Sequence, residues 1–263
     1  MIRLGVISYL NTRPLVHALE RNLLPHRFEL VYDVPSVCAR RLASGELDLG
    51  IIPSIEYARA SGYRIVPRVA IAADGPVKSV LLLARKPLDK VRSVAMDTSS
   101  RTSVALTRIL LHRRHGFAGP YIDHPPDLDA MLRVADAAVL IGDAALHAHR
   151  PDLYVYDLGL LWREETGLPF VFAFWTGPAD LSAEDVAALI EAKRLGLRHV
   201  DEIAEIFSEG NPKPPSFYAA YLTENVRYNL GEREIEGLRT FYRYARELRL
   251  IEREPDMHFY KEG

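Results

Sequence analysis

A strand, a loop rich in hydroxyl groups and a helix follow one another near the middle of the chain. The loop reads Met96-Asp97-Thr98-Ser99-Ser100-Arg101-Thr102-Ser103-Val104. Apolar residues from Val91 to Ala95 predict a buried strand before it, and the apolar spacing of Val104 to Leu111 predicts a helix after it. Unpaired backbone N–H groups at the start of a helix favour negative charge. We therefore expect a carboxylate- or phosphate-binding loop whose ligand contacts come from Thr98, Ser99, Ser100, Arg101 and Thr102.

The same loop has a structural interpretation that the sequence leaves open. One Ser or Thr is enough to cap the helix, so not every hydroxyl needs a ligand. In the binding interpretation, Arg101 adds a charge-assisted hydrogen bond to the anion. In the alternative, Arg101 points away from the ligand and pairs with an acidic neighbour.

Strands and helices alternate on both sides of this loop, with short connections. The first unit is predicted to contain strands at Leu4–Ser8, Phe28–Tyr32 and Leu49–Ile52 and helices at Leu15–Arg21 and Ser36–Ala43. A similar unit begins at Val91 and ends near Phe174, and the chain is predicted to be helical from Asp180. This alternation predicts an α/β fold with mixed, mostly parallel sheets and helices on both faces.

Two such units predict two lobes with a ligand cleft between them. The apolar segments Val77–Ala84 and Phe170–Trp175 flank the second unit and are predicted to cross between the lobes. We therefore expect residues 1–80 and 174–263 to form the first lobe, which includes the C-terminal helices. Residues 81–173 are expected to form the second lobe.

Polar residues follow the carboxyl ends of several predicted strands, where ligands bind in open α/β sheets. These clusters are Ser8–Asn11, Ile52-Pro53-Ser54, Asp97–Arg101 and Gly142-Asp143. Ser79 lies near a predicted crossing and is expected to face the cleft. Three of these residues also have structural interpretations, because Asn11 can support a turn and Ser54 and Asp143 can cap helices.

The composition excludes several classes of function. The chain has 263 residues, 48% hydrophobic and 26% charged, and its net charge of -2 provides no basic field for nucleic acid or an anionic membrane. Its single cysteine, Cys38, excludes an internal disulfide. The sequence lacks HExxH, CxxC, GxGxxG, Walker and Gly-x-Ser-x-Gly motifs. We therefore predict no metal and no cofactor.

The location of the protein is predicted from the N-terminus. A strand pattern begins at Ile2 with no signal peptide before it, and no apolar run is long enough to span a bilayer. We expect a cytoplasmic protein that binds a small molecule. The sequence leaves the oligomeric state open.

The chain resembles the chorismate dehydratases of the futalosine route to menaquinone, which have the two-lobed periplasmic-binding-protein-like type II fold. The resemblance extends over about two thirds of the chain, from Ser8 to Ala173. It rests on five stretches, Ser8–Leu15, Asp74–Val80, Thr98–Ser103, Ala137–Leu146 and Leu161–Ala173.

The resemblance implies a hydro-lyase that removes water from chorismate to give 3-[(1-carboxyvinyl)oxy]benzoate. It implies that Asn11 contacts the substrate, and we rank Asn11 and then Asp143 as catalytic candidates. The expected substrate-binding residues are Ser8, Ser54, Ser79, Thr98, Ser99, Ser100, Arg101, Thr102 and Gly142. Because an enzyme carboxylate beside a dianionic substrate suffers repulsion, we expect the substrate's own enolpyruvyl carboxylate to accept the proton. Asp143 is the alternative acid or base.

Two other functions compete with this interpretation. The fold usually captures solutes, so a cytosolic small-carboxylate-binding protein without catalysis is one alternative. The sister enzyme of the same pathway, 1,4-dihydroxy-6-naphthoate synthase, is the other. Its resemblance is weaker at the loop from Thr98 to Ser103.

Overall fold

The computed structural model describes residues 1–178 and 180–262, which form two five-stranded sheets surrounded by helices. The first sheet takes the first four strands of the chain, β1 (Ile2–Ile7), β2 (Phe28–Asp33), β3 (Leu49–Pro53) and β4 (Arg64–Ala73). The second sheet takes the next five, β5 (Val80–Ala84), β6 (Val94–Asp97), β7 (Tyr121–His124), β8 (Ala137–Ile141) and β9 (Tyr154–Asp157). The chain then returns to the first sheet with β10 (Phe170–Gly177).

Each sheet combines parallel and antiparallel pairing. In the first sheet, of order β2-β1-β3-β10-β4, strand β1 pairs in parallel with β2 and β3, and β10 runs antiparallel to β3 and β4. In the second, of order β7-β6-β8-β5-β9, strand β6 pairs in parallel with β7 and β8, and β5 runs antiparallel to β8 and β9. The predicted mixed α/β architecture is confirmed. In each sheet one strand, β10 or β5, runs antiparallel to both of its neighbours and lies second from one edge.

Helices surround the two sheets. In chain order they are α1 (Arg13–Glu20), α2 (Pro35–Ala43), α3 (Ser54–Tyr57), α4 (Thr102–His115), α5 (Leu128–Val134), α6 (Gly142–His147), α7 (Leu158–Thr166), α8 (Ala183–Arg198), α9 (Val200–Ser208), α10 (Pro215–Ala220) and α11 (Glu232–Glu247). A π-helical turn, Tyr221–Asn225, follows α10. Within the described ranges, no helix combines the length and the apolar character that crossing a bilayer requires.

Both faces of the first sheet are covered, as the sequence predicts. Successive residues of a strand point to opposite faces. In β3, Ile51 therefore packs into the main core, whereas Ile52 packs against Cys38 and Leu42 of α2. Cys38 is buried in this smaller cluster, and burial raises the pKa of its thiol to about 12, as expected of a structural cysteine.

The chain crosses between the sheets at two points that differ from the expected ones. The first crossing comprises residues 74–79, because β4 ends at Ala73 and β5 begins at Val80. The second lies between Thr166 and Phe170, because β10 pairs with β4 from Phe170 onward. The expected boundary at residue 174 thus places residues 170–173 in the wrong sheet. A strand buried on both faces has the same apolar pattern in either sheet, so composition does not fix the boundary.

The C-terminal third is helical, as predicted from Asp180. Helix α8 begins with a capping box between Ser182 and Asp185 and packs on α1 and β4. Helix α11 packs on β10, and its Phe241 ring makes edge contacts with Trp162 and Phe170. These helices therefore cover the first sheet and part of the second crossing.

Candidate active site

A cavity that is open to solvent at its mouth lies between the two sheets. Its walls come from the turn after β1, the loop before α4, the start of α6, the first crossing and β10. The predicted site residues that line it are Asn11, Ser79, Ser100, Thr102 and Gly142. The other predicted residues, Ser8, Ser54, Thr98, Ser99, Arg101 and Asp143, lie around it without lining it. The cavity is therefore built from several of the predicted clusters.

The turn after β1 is fastened to the second sheet at two adjacent residues. The Tyr9 hydroxyl lies 3.3 Å from the Ser99 Oγ, and the Leu10 N–H donates to the Asp143 Oδ1 at 3.0 Å. Asn11, the next residue, lines the cavity and accepts a long hydrogen bond from Thr12 at 3.4 Å. Backbone and ring contacts hold the turn, so the Asn11 amide is available to a ligand.

Asp143 holds this turn instead of capping the helix in which it lies. It occupies the first turn of α6, whose N-cap residue, Ile141, provides no side-chain cap. Burial raises the pKa of Asp143 to about 6, against the opposing effects of the Leu10 N–H and the Arg13 charge. Its carboxylate therefore joins the two sides of the cleft from outside the cavity lining.

The adjacent Gly142 is required by the way Tyr9 packs. Gly142 has a φ of 61°, in the left-handed region that favours glycine. A Cβ at this position would lie 2.7 Å from the Tyr9 ring. Any side chain here would push Tyr9 out of the cleft.

Most side chains in the hydroxyl-rich loop form hydrogen bonds or ion pairs with other protein groups, several of them within the loop itself. The Ser99 N–H and Oγ both donate to the buried Asp97 Oδ1, at 2.8 and 2.6 Å. The Ser100 Oγ accepts from the Ser103 N–H at 3.2 Å, which supports the start of α4. Thr98 is exposed on the far side of the loop. Of the loop's hydroxyl residues, Ser100, Thr102 and Ser103 border the cavity.

Arg101 takes the alternative orientation that the sequence left open. Its guanidinium pairs with Glu56 at 3.1 Å and lies outside the cavity. Glu56 also pairs with Arg59 at 2.6 Å, so two arginines share one carboxylate. The partner of Arg101 is 45 residues away in sequence and comes from α3 in the first sheet's half of the molecule.

Thr102 joins the hydroxyl-rich loop to the other side of the cleft. Its Oγ1 accepts the Ile55 N–H at 3.2 Å and lies 3.4 Å from the Ser54 Oγ. Ser54 is buried and donates to the Val171 carbonyl at 2.8 Å, so it neither caps α3 nor lines the cavity. Ser8 is exposed and donates its hydroxyl to the Asp33 carbonyl.

The cavity is suited to a negatively charged ligand despite its neutral walls. Among the residues that the structure describes there, none with a charged side chain lines it. Helices α4 and α6 begin at lining residues, Thr102 and Gly142. The partial positive charge at the start of a helix stabilises anions, although the Gly142 N–H itself already donates to the Ser79 carbonyl at 2.8 Å.

A family model for menaquinone biosynthesis matches residues 2–247 of the chain. The chain belongs to this family. A chorismate dehydratase from Thermus thermophilus is 33% identical over 258 residues, which cover 90% of this chain and 93% of the relative. A chorismate dehydratase from Campylobacter jejuni is 35% identical over 174 residues, covering 64% of each chain. The family expected from the sequence is therefore confirmed.

Solved structures agree with the predicted fold. A protein from Archaeoglobus fulgidus superposes with a TM-score of 0.78 at 21% identity, covering 95% of this chain and 98% of its own. The periplasmic aliphatic sulphonate binding protein of Escherichia coli superposes with a TM-score of 0.68 at 17% identity, covering 100% of this chain and 92% of its own. The periplasmic-binding-protein-like fold is thus confirmed.

The main residue of the site that sequence reasoning missed is Tyr221. Its hydroxyl donates to the Ser79 Oγ at 2.8 Å, directly behind the cavity wall. It lies in the C-terminal third, where the only signal is an aromatic residue in a helical segment. Ser103, which lines the cavity, was also missed, although it lies within the quoted loop.

Proposed function

We propose that the chain is a chorismate dehydratase, a hydro-lyase that removes water from chorismate to give 3-[(1-carboxyvinyl)oxy]benzoate. The similarity to the Thermus thermophilus enzyme over nearly the whole of both chains carries this proposal. The neutral cavity at two helix starts supports it, because chorismate carries two carboxylates and no charged lining residue would repel them.

In this proposal the cavity binds the dianion through hydroxyl, amide and backbone N–H donors. Ser100, Thr102 and the N–H groups at the start of α4 hold one carboxylate. Ser79 and Asn11, which also line the cavity, hold the ring hydroxyl and the other carboxylate. Ser8, Ser54, Ser99 and Arg101 act on this site indirectly, through the contacts described above, whereas the side chain of Thr98 is exposed.

The proposed elimination uses the substrate's own base. The enolpyruvyl carboxylate takes the proton from the ring carbon that bears the ether oxygen. The electrons of the broken C–H bond form the new ring double bond, and the neighbouring C–O bond breaks. The departing hydroxide accepts the proton and leaves as water, so the ring becomes aromatic. The enzyme supplies orientation and a fixed electrostatic field.

Asn11 is the proposed catalytic residue, because its amide lines the cavity and the turn that carries it is held from both sides. It aligns the leaving hydroxyl or the acting carboxylate. Asp143 is assigned a holding role in this proposal, because its Oδ1 already accepts the Leu10 N–H. This leaves the substrate carboxylate as the base.

Direct assay tests the proposal. Purified protein is mixed with chorismate, and the aromatic product is followed by absorbance and identified by mass. We expect conversion with loss of one water. The rival function, capture of a small carboxylate without catalysis, draws on the likeness of the fold to a solute-binding protein. It predicts that chorismate is bound and recovered unchanged.

The proposed setting of the reaction is the cytoplasm, where biosynthetic enzymes of this kind act. Cell fractionation followed by the same assay tests this. Activity confined to the soluble cytoplasmic fraction is the expected result, and activity in a periplasmic or membrane fraction would contradict it. Size-exclusion chromatography of the active fraction gives the oligomeric state.

A further inference from the structure

A π-helical turn in the C-terminal third holds the first crossing between the sheets. The turn comprises Tyr221–Asn225, and its Tyr221, Leu222 and Asn225 are buried. The Tyr221 hydroxyl donates to the Ser79 Oγ at 2.8 Å, and the Asn225 amide donates to the Pro76 carbonyl at 2.9 Å. Turns of this kind often occur at functional sites. The crossing that lines the cavity is thus supported from behind by a segment that does not line it.

Tyr221 also lies near Asn11, the proposed catalytic residue. Burial raises the pKa of the Tyr221 hydroxyl, and hydrogen bonding with the Ser79 and Asn11 side chains opposes this rise. Ser79 and Asn11 both line the cavity, whereas Tyr221 does not. One buried hydroxyl therefore lies against two side chains that face the substrate.

The direction of these hydrogen bonds decides what Ser79 offers to the cavity. Because the Tyr221 hydroxyl uses its one proton to donate to the Ser79 Oγ, the proton of Ser79 is free to be donated elsewhere. Ser79 is thereby set as a donor toward the cavity. The phenolic oxygen of Tyr221 keeps its acceptor capacity for the Asn11 amide.

We propose that Tyr221 is a positioning residue for dehydration, which fixes Ser79 as a hydrogen-bond donor toward the cavity. This inference rests on the proposed chorismate dehydratase activity. Misplacing an aligning group reduces the rate of the chemical step more than it weakens binding, because most binding contacts remain. A residue that only supports the fold would alter stability without this selective effect.

Tyr221→Phe tests the inference, because it removes the hydroxyl and keeps the ring. We expect kcat to fall on the order of 10- to 100-fold while KM for chorismate changes little. Tyr218→Phe is the matched control. Tyr218 is also fully buried, but its hydroxyl bonds His147 at 2.9 Å and the Lys213 N–H at 3.2 Å, away from the cavity. The control is expected to keep kcat.

A double-mutant cycle shows whether Tyr221 acts through Ser79. If it does, Tyr221→Phe costs less in kcat when Ser79 is already alanine than it costs in the parent protein. Additive losses would contradict action through Ser79. Full kcat for Tyr221→Phe would overturn the inference altogether.

The remaining outcomes are distinguishable. If Tyr221→Phe does not fold by circular dichroism, Ser79→Ala alone takes its place, because it removes the acceptor and leaves the tyrosine. Full kcat for that variant would overturn the inference. If the parent protein does not convert chorismate, the proposed function is overturned. If the parent protein, Tyr218→Phe and Tyr221→Phe are all equally active, only the role of Tyr221 is overturned.

Discussion

Two polar segments approach the same cavity and use their polar groups in opposite ways. In the hydroxyl-rich loop from Asp97 to Ser103, side chains bind other protein groups, as Ser99 binds Asp97 and Arg101 binds Glu56. In the turn from Tyr9 to Thr12, the backbone and the Tyr9 ring make the structural contacts. The Asn11 amide is left at the cavity wall.

This difference shows that the density of polar residues is a poor measure of ligand contact. A tight loop must first satisfy its own backbone and buried carboxylates, and short hydroxyl side chains are well suited to that. The turn after β1 is held by a carboxylate and an aromatic residue, and the Asn11 side chain, which accepts only a long hydrogen bond from Thr12, still lines the cavity. The shorter and less conspicuous segment therefore provides the proposed catalytic group.

The largest effect that follows from this comparison is expected for Asn11→Ala. Loss of one preorganised donor should reduce kcat by about 100- to 1,000-fold, while the fold is preserved because backbone contacts hold the turn. Steady-state kinetics with chorismate measures this. Asn211→Ala is the control, since the Asn211 amide bonds only the Phe207 carbonyl, far along the chain in α9. Near-normal turnover by Asn11→Ala would remove the distinction between the two segments.

The next effect concerns the carboxylate that holds the turn. Burial raises the pKa of Asp143 to about 6, so between about pH 4 and 6 the folded protein binds this proton more tightly than the unfolded chain. Its contribution to the free energy of unfolding is therefore full below pH 4 and is lost as the pH rises through 6. Relative to Asp143→Asn, the parent should lose about 3 kcal/mol from pH 4 to 7. Denaturant titrations at several pH values measure this, and parallel curves would contradict it.

A smaller effect is expected where the turn touches the second sheet. Gly142→Ala places a Cβ 2.7 Å from the Tyr9 ring and should raise KM about 10-fold by displacing the turn. Gly116→Ala is a matched control, because Gly116 has a similar φ of 58° but nothing within 4 Å of the added atom. Gly116→Ala should lose about 1 kcal/mol of stability from the left-handed backbone alone, and Gly142→Ala should lose more, because the Tyr9 ring must also move. Equal kinetics for the two would mean that the position of Tyr9 is unimportant for the site.

The smallest effect is expected in the hydroxyl-rich loop. Arg101→Ala removes a half-exposed ion pair with Glu56, which contributes about 1 kcal/mol or less to stability. The affinity for chorismate should be nearly unchanged, because the guanidinium lies outside the cavity. Calorimetric titration measures this. A large loss of affinity would restore Arg101 as a clamp for the anion and make the two segments alike.

Much of the fold follows from the sequence because short-range patterns determine it. The strand predicted at Leu49–Ile52 is found as Leu49–Pro53, and α4 begins two residues before the predicted helix. The sequence does not predict which sheet contains β10. All of its residues from Phe170 to Gly177 are buried, and a continuous apolar run fits either sheet equally well. Local periodicity identifies a strand, and tertiary pairing decides its neighbours.

The site divides in the same way. Asn11 and Gly142 were found because each follows a strand end, which is a property of the local sequence. The Glu56 partner of Arg101 and the Tyr221 partner of Ser79 lie 45 and 142 residues away from them. Such contacts depend on how the two halves of the molecule meet, and a single sequence carries no periodic signal for them.

In the proposed reaction, no enzyme carboxylate at the cavity acts as the base. Turnover of chorismate by Asp143→Asn, measured beside Asn11→Ala with folding checked by circular dichroism, tests this. The asparagine keeps an oxygen that accepts the Leu10 N–H, so the turn stays fastened. We expect Asp143→Asn to keep most of its turnover and Asn11→Ala to lose it. The opposite result would be an Asp143→Asn variant that binds chorismate without converting it, together with nearly normal turnover by Asn11→Ala. That result would contradict the substrate-assisted elimination and identify Asp143 as the base.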